Sequence, residues 1–125
     1  MADHLDAAAK IIPFDSLARV PGAYRFAGAE HGDVPFSLIV LDVEVGSEPV
    51  AMHRHPYVEA WVVQAGEATF RVGDSTIVVP AGHIVIGPAN VPHGFRNSGG
   101  EELRMVAIHA AGRIETEFLE SAGAD

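Results

Sequence analysis

The chain has 125 residues, 48% apolar and 20% charged, enough for one compact domain with a core and too short to divide comfortably into two. Seventeen acidic residues against eight basic ones give a formal net charge of -9, and no basic cluster is present to neutralise a run of phosphates, which argues against nucleic acid as a partner. No apolar run approaches the roughly 20 residues needed to span a bilayer, the first ten residues lack a signal-peptide core, and there is no cysteine, so the expectation is a cytoplasmic protein without a membrane partner whose metal ligands are nitrogen and oxygen.

Residues 1–35 are irregular, with Pro13, Pro21 and Pro35 interrupting any long element and a short helical turn expected at Ala7 to Ala9. They read as an extension that either wraps the domain or adds a strand to a neighbouring subunit. After them, short runs rich in Val, Ile and Phe recur between Gly, Pro and Asn, the pattern of an all-β domain. Strands are predicted at Ser37 to Val45, Met52 to His55, Glu59 to Gln64, Glu67 to Val72 and Thr76 to Val79. Further strands are predicted at His83 to Ile86, Gly94 to Asn97, Leu103 to His109 and Ile114 to Leu119. Ala65-Gly66 and Gly73-Asp74 read as hairpin turns, Pro80-Ala81-Gly82 and Pro88-Ala89-Asn90 as sharper corners, and Ser98-Gly99-Gly100 as a loop. So many short strands need closure, and a β-barrel or jelly roll satisfies edges that an open sheet would expose. The barrel core is assigned to residues 36–112, followed by a C-terminal strand and tail over 113–125, with Glu120 to Asp125 frayed.

Of the seven histidines, His53 and His55 lie two apart, so on a strand both emerge from one face with bases about 6.6 Å apart at ~3.3 Å per residue. Glu59 has the same parity provided the strand bends without slipping, and it opens the apolar run Ala60-Trp61-Val62-Val63, where a carboxylate is costly unless paired or ligated. His93 supplies a candidate fourth ligand from a distant corner. Three imidazoles and one carboxylate suit a single divalent transition metal ion, Fe, Mn, Ni, Co, Cu or Zn, and leave two positions of an octahedral ion open.

The stretch Gly46-x6-His53-x-His55-x3-Glu59-x6-Gly66 resembles the first cupin motif, and Gly82-x5-Pro88-x-Asn90-x2-His93-x3-Asn97 resembles the second. The resemblance implies a single-domain cupin barrel, a double-stranded β-helix, with a metal held by His53, His55, Glu59 and His93. Two positions depart from the motif. Six residues instead of five precede His53, which lengthens a loop, and Asn90 replaces a glycine, which Asn does by tolerating the left-handed conformation.

Same-parity positions make Trp61, Val63, Phe95 and Met105 either the wall of a substrate cavity or plain core, and Met52 and Tyr57 either line its mouth or lie on the surface. His109 shares parity with Met105 and Ala107, which makes it, with Glu59, a candidate catalytic group: a hydrogen-bond donor behind the ligands or a proton carrier. Asn97 is expected to fix the corner that carries His93, Arg54 to point outside the barrel, and His4, His31 and His83 to be exposed. Cupins carry many functions. The complete ligand set implies a metal-dependent oxidoreductase of dioxygenase type acting on a small organic molecule. The alternatives are a non-redox isomerase, cyclase or lyase, and a binding module without turnover. The resemblance also implies a homodimer.

Overall fold

The computed structural model describes residues 8–119. His4 and the tail from Glu120 to Asp125 lie outside the described residues, as does part of the turn expected at Ala7 to Ala9. Among the described residues, no helix is long and apolar enough to cross a membrane.

Apart from two three-residue 3-10 turns, the regular structure of the described chain is strand. The first half holds β1 (Ala18–Val20), β2 (Ala23–Ala27), β3 (Ser37–Val43), β4 (His53–Arg54) and β5 (Glu59–Ala65). The second half holds β6 (Glu67–Val72), β7 (Ser75–Pro80), β8 (His83–Gly87), β9 (His93–Asn97), β10 (Leu103–His109) and β11 (Glu117–Phe118). They form a six-stranded sheet in the order β1-β2-β3-β10-β5-β8 and a five-stranded sheet in the order β11-β4-β9-β6-β7, both antiparallel.

The alternation of the sequence is what lets two sheets stack. On β5, Glu59, Trp61 and Val63 are buried while Ala60 and Val62 are half-buried, and β10 repeats this with Leu103, Met105, Ala107 and His109 inside. The two inner faces meet in one apolar cluster that includes Trp61, Val63, Phe70, Phe95, Leu103 and Met105. Its aromatic members touch in sequence, Trp61 on Phe70 at 5.1 Å between ring centroids and Phe70 on Phe95 at 5.3 Å. Full burial of a side chain such as Phe70 contributes about 1.5–3 kcal/mol. This cluster fills one end of the space between the sheets, and the histidines occupy the other.

Several expectations need correction. Ala65-Gly66 is not a hairpin: β5 and β6 belong to different sheets, and the chain turns a corner at Gly66. Gly66 has φ +83°, and a Cβ there would lie 2.6 Å from the Glu102 carbonyl oxygen, so only glycine allows the close crossing. The true two-residue hairpin is Gly73-Asp74, with Val72 paired to Ser75. Residues 1–35 contain two strands that the irregular reading missed, and β2 pairs with β3 of the same chain. The C-terminal strand is only two residues long, because Ile114 to Thr116 form no ladder. Asn97 does not brace the corner carrying His93. Its Nδ2 donates to the Val43 and Glu101 carbonyls and its Oδ1 accepts the Gly99 N–H, so it ties the 98–101 loop to the end of β3.

Candidate metal centre

Two direct cross-strand pairs, one on each sheet, build the centre. On the five-stranded sheet His53 of β4 stands opposite His93 of β9. On the six-stranded sheet Glu59 of β5 stands opposite His109 of β10, with Gly87 of β8 on its other side. Because the sheets stack face to face, these pairs point at each other across the interior. His55 lies in the crossing between β4 and β5 and projects into the same space. One ligand atom from each of His53, His55, Glu59 and His93 lies within 4.8 Å of all the others, and all four residues are buried. Glu59 therefore faces the histidines from the opposite sheet, not along a continued strand, which corrects the parity argument.

Asn90 has φ 66° and donates its N–H to the His55 carbonyl at 2.7 Å, so the left-handed corner before β9 is also pinned to the first ligand segment. Two neighbours fix which nitrogen of each ring faces inward. His53 Nδ1 lies 2.7 Å from the Ala51 carbonyl and His55 Nδ1 lies 2.8 Å from the Glu115 carbonyl. Carbonyls only accept, so both Nδ1 atoms carry the proton and both Nε2 atoms turn a lone pair inward.

The result is an interior crowded with acceptors. Glu59 Oε1 lies 3.0 Å from His55 Nε2 and 3.2 Å from His93 Nε2, and none of these three atoms has an aligned hydrogen bond. Lone pairs held this close in a buried place require a proton or a cation between them. Burial opposes ionisation of Glu59, but its contacts with His109, His55 and His93 outweigh that and hold the carboxyl well below the usual carboxylate range. Burial likewise opposes charge on His55, yet Glu59 and the Glu115 carbonyl raise it overall. His53, whose burial dominates and whose neighbours His93 and His55 add to it, is lowered. An anionic carboxylate beside inward imidazole lone pairs, with borderline nitrogen and hard oxygen donors, is a donor set that fits a divalent transition metal.

Around the centre, Trp61 packs edge-on against His93 at 4.7 Å between ring centroids, and a Cβ on Gly87 would meet both. Val63, Phe95 and Met105 belong to the apolar core cluster together with Trp61, and Met52 is half-buried with its sulfur against Gly94. His109 is 2% exposed, with Nε2 3.1 Å from Glu59 Oε2 and Nδ1 2.7 Å from the Tyr57 hydroxyl. Tyr57 is half-buried and stacked on His55, and burial pushes its hydroxyl up to about 12. Arg54 points away from the histidines and pairs with Glu117 at 2.7 Å, and His83 is exposed. His31 is half-buried instead of exposed, because its ring stacks on Phe26 at 4.6 Å. A polar cleft of about 260 Å³ reaches the outer side of His55, lined by Arg54, Pro56, Asn90, Glu115, Thr116 and Glu117. The sequence pattern held no signal for Gly87, since its importance comes from register alone.

Comparison with known proteins matches residues 39–109 to the family described as the cupin domain. The H2HPP isomerase of Bacillus subtilis is 32% identical over 100 residues, a stretch that takes in 79% of this chain but only 39% of that protein. Among solved structures, a protein with a double-stranded β-helix domain from Klebsiella pneumoniae superposes with a TM-score of 0.68 at 25% identity, over 90% of this chain and 99% of that one. A variant of the oxalate decarboxylase of Bacillus subtilis gives a TM-score of 0.68 at 22% identity, over 78% of this chain and 27% of that one, a likeness of fold alone.

Proposed function

The chain belongs to the cupin family, and on that premise we propose that it is a metal-dependent enzyme acting on a small organic molecule. One observation carries the reading: buried nitrogen and oxygen atoms of His55, Glu59 and His93 converge without aligned hydrogen-bond partners, with His53 completing the set. When bound there, a divalent ion supplies Lewis acidity and, for a redox-active metal, electrons for dioxygen chemistry. His53, His55, Glu59 and His93 hold it.

In the first reading of the reaction the protein is an oxidoreductase of dioxygenase type, supported by a donor set of three imidazoles and one carboxylate. The second reading, non-redox isomerisation, is favoured by the relationship to the H2HPP isomerase, and by His109 and Tyr57, which bring an imidazole and a phenol to the carboxylate side of the centre. Elemental analysis of protein purified without added metal, followed by turnover assays on small organic acids with and without oxygen, tests both. Loss of turnover without oxygen supports the first and indifference to oxygen the second. A protein that carries no divalent ion and takes none up ends both.

A homodimer is part of the proposal. Its support is the outer face of the six-stranded sheet, where Ile84, Val62, Val106 and Val40 stand side by side across β8, β5, β10 and β3, with Ile86 and Ile108 in the adjoining row. Ile84 is 65% exposed and Ile86 56% in the single chain. An apolar face this continuous suits a second copy of the same chain.

A further inference from the structure

Glu59 has two carboxylate oxygens in two different settings. Oε1 faces Nε2 of His55 and of His93 at 3.0 and 3.2 Å, and Oε2 faces His109 Nε2 at 3.1 Å. His109 is buried, its Nε2 lies against Glu59 Oε2 without an aligned hydrogen bond to it or to any other group, and it stands directly opposite Glu59 in the β5–β10 register.

The proton positions around His109 follow from donors and acceptors outside the centre. The Glu115 backbone N–H donates to the Tyr57 oxygen at 3.3 Å. The nearest acceptor for the Tyr57 hydroxyl proton is His109 Nδ1 at 2.7 Å, since the other nearby nitrogen, His55 Nδ1, is 3.5 Å away and already donates to the Glu115 carbonyl. A neutral His109 that accepts at Nδ1 carries its proton on Nε2, the nitrogen that lies 3.1 Å from Glu59 Oε2. Donation thus runs one way, from Glu115 N–H through the Tyr57 hydroxyl to His109, whose protonated Nε2 lies against a single oxygen of Glu59.

We propose that Tyr57 and His109 act as positioning residues that reserve Oε2 of Glu59, so that the carboxylate offers the metal Oε1 alone. This rests on the metal reading above and adds the mode of ligation. One-oxygen ligation keeps a coordination position free that a two-oxygen carboxylate would fill, which is what a substrate needs.

Three variants test it, with Co(II) as the probe. His109→Gln keeps an N–H at nearly the same place, His109→Phe removes it, and Tyr57→Phe removes only the hydroxyl. In metal-free wild type, multiple-bond proton–nitrogen NMR is expected to find the His109 proton on Nε2, and in Tyr57→Phe to find it redistributed between the two nitrogens. On loading, His109→Phe is expected to bind Co(II) about 10–100-fold more weakly and with a lower visible extinction, as Glu59 swings to two-oxygen ligation and the coordination number rises. His109→Gln is expected to restore the wild-type spectrum. If His109→Phe fails to fold by circular dichroism, Tyr57→Phe carries the same comparison. A His109 proton on Nδ1, or loss of the donor with spectrum and affinity unchanged beside a wild type that loads normally, overturns the proposal. A wild type that binds no Co(II), nor any other divalent ion, overturns the metal reading itself, and the ligation mode falls with it.

Discussion

His53 and His93 are direct cross-strand partners on β4 and β9, their rings meeting edge to face with centroids 4.6 Å apart. The pair joins the two cupin motifs into one structural unit, since each motif contributes one strand of the same ladder. Glu59 reaches it from the facing sheet. The centre therefore depends on sheet stacking as much as on its four side chains.

Protein purified from a metal-supplemented culture is expected to hold one divalent ion per chain by elemental analysis. His93→Ala removes one of the four donors and Glu59→Gln replaces the anionic oxygen with a neutral amide; both are expected to cut occupancy severely while far-UV circular dichroism stays that of the wild type. Because imidazole must be deprotonated to ligate, occupancy is expected to fall as pH drops below ~6. Full occupancy at pH 4 would contradict a histidine-dominated centre.

In the metal-free protein the same residues set an acid limit. Burial, then the nearby His93 and His55, hold His53 below its ordinary 6.5. For Glu59, burial pushes up but the three histidine contacts prevail and hold it below its ordinary 4.5. A group depressed by folding binds protons more readily when unfolded, so its stabilisation is present above the unfolded value and lost as pH falls through the folded one. His53 begins to destabilise below pH 6.5 and Glu59 below pH 4.5. His55, being raised, acts in the opposite sense: its contribution is complete below 6.5 and fades as pH rises through its folded value. Thermal melts of the metal-free protein should show Tm falling through the acid range, with the limb below pH 4.5 flattened in Glu59→Gln. An unchanged limb would mean that other carboxylates set it.

Gly87 offers a substitution that reaches the centre without replacing a ligand. A Cβ at this position would lie 2.8 Å from Trp61 Cζ3 and 3.2 Å from His93 Nδ1, so Gly87→Ala must displace the indole, the imidazole or both. Overpacking of this kind costs about 1–3 kcal/mol. A lowered Tm and weaker metal binding are expected together. Trp61 is the chain's one tryptophan, so its emission reports both the displacement and quenching by a paramagnetic ion. A variant with wild-type Tm and emission would show that the interior has room to spare.

For the proposed dimer, size-exclusion chromatography with light scattering is expected to give twice the 13.2 kDa chain mass. Ile84→Glu places a charge at the most exposed isoleucine of the outer face of β8 and is expected to yield monomer with an unchanged circular dichroism spectrum. A wild-type monomer would refute the assembly.

Much of the fold was legible because its local rules are strong. Alternating apolar residues on β5 and β10, and breaks at Gly, Pro and Asn, located nearly every strand of the barrel. β1 and β2 escaped because Pro21 and the polar residues around them mask a weak pattern that pairing with β3 makes up for.

The sequence by itself determined the donor types: with cysteine absent, and with two spaced sets of histidine and glutamate, the candidate ligands are legible without any strand pairing. Only the tertiary structure decided how they meet. Ala65-Gly66 looks the same in sequence whether it closes a hairpin or turns a corner between sheets, and Glu59 has the same parity whether its strand continues or crosses over. Which oxygen of Glu59 faces His109, and that Tyr57 stands behind it, depend on the pairing of β5 with β10, 50 residues apart in register at His109 and Glu59. Local sequence sets which face a side chain takes, and long-range strand pairing sets what it faces, because that pairing is fixed by burial of the whole inner face at once.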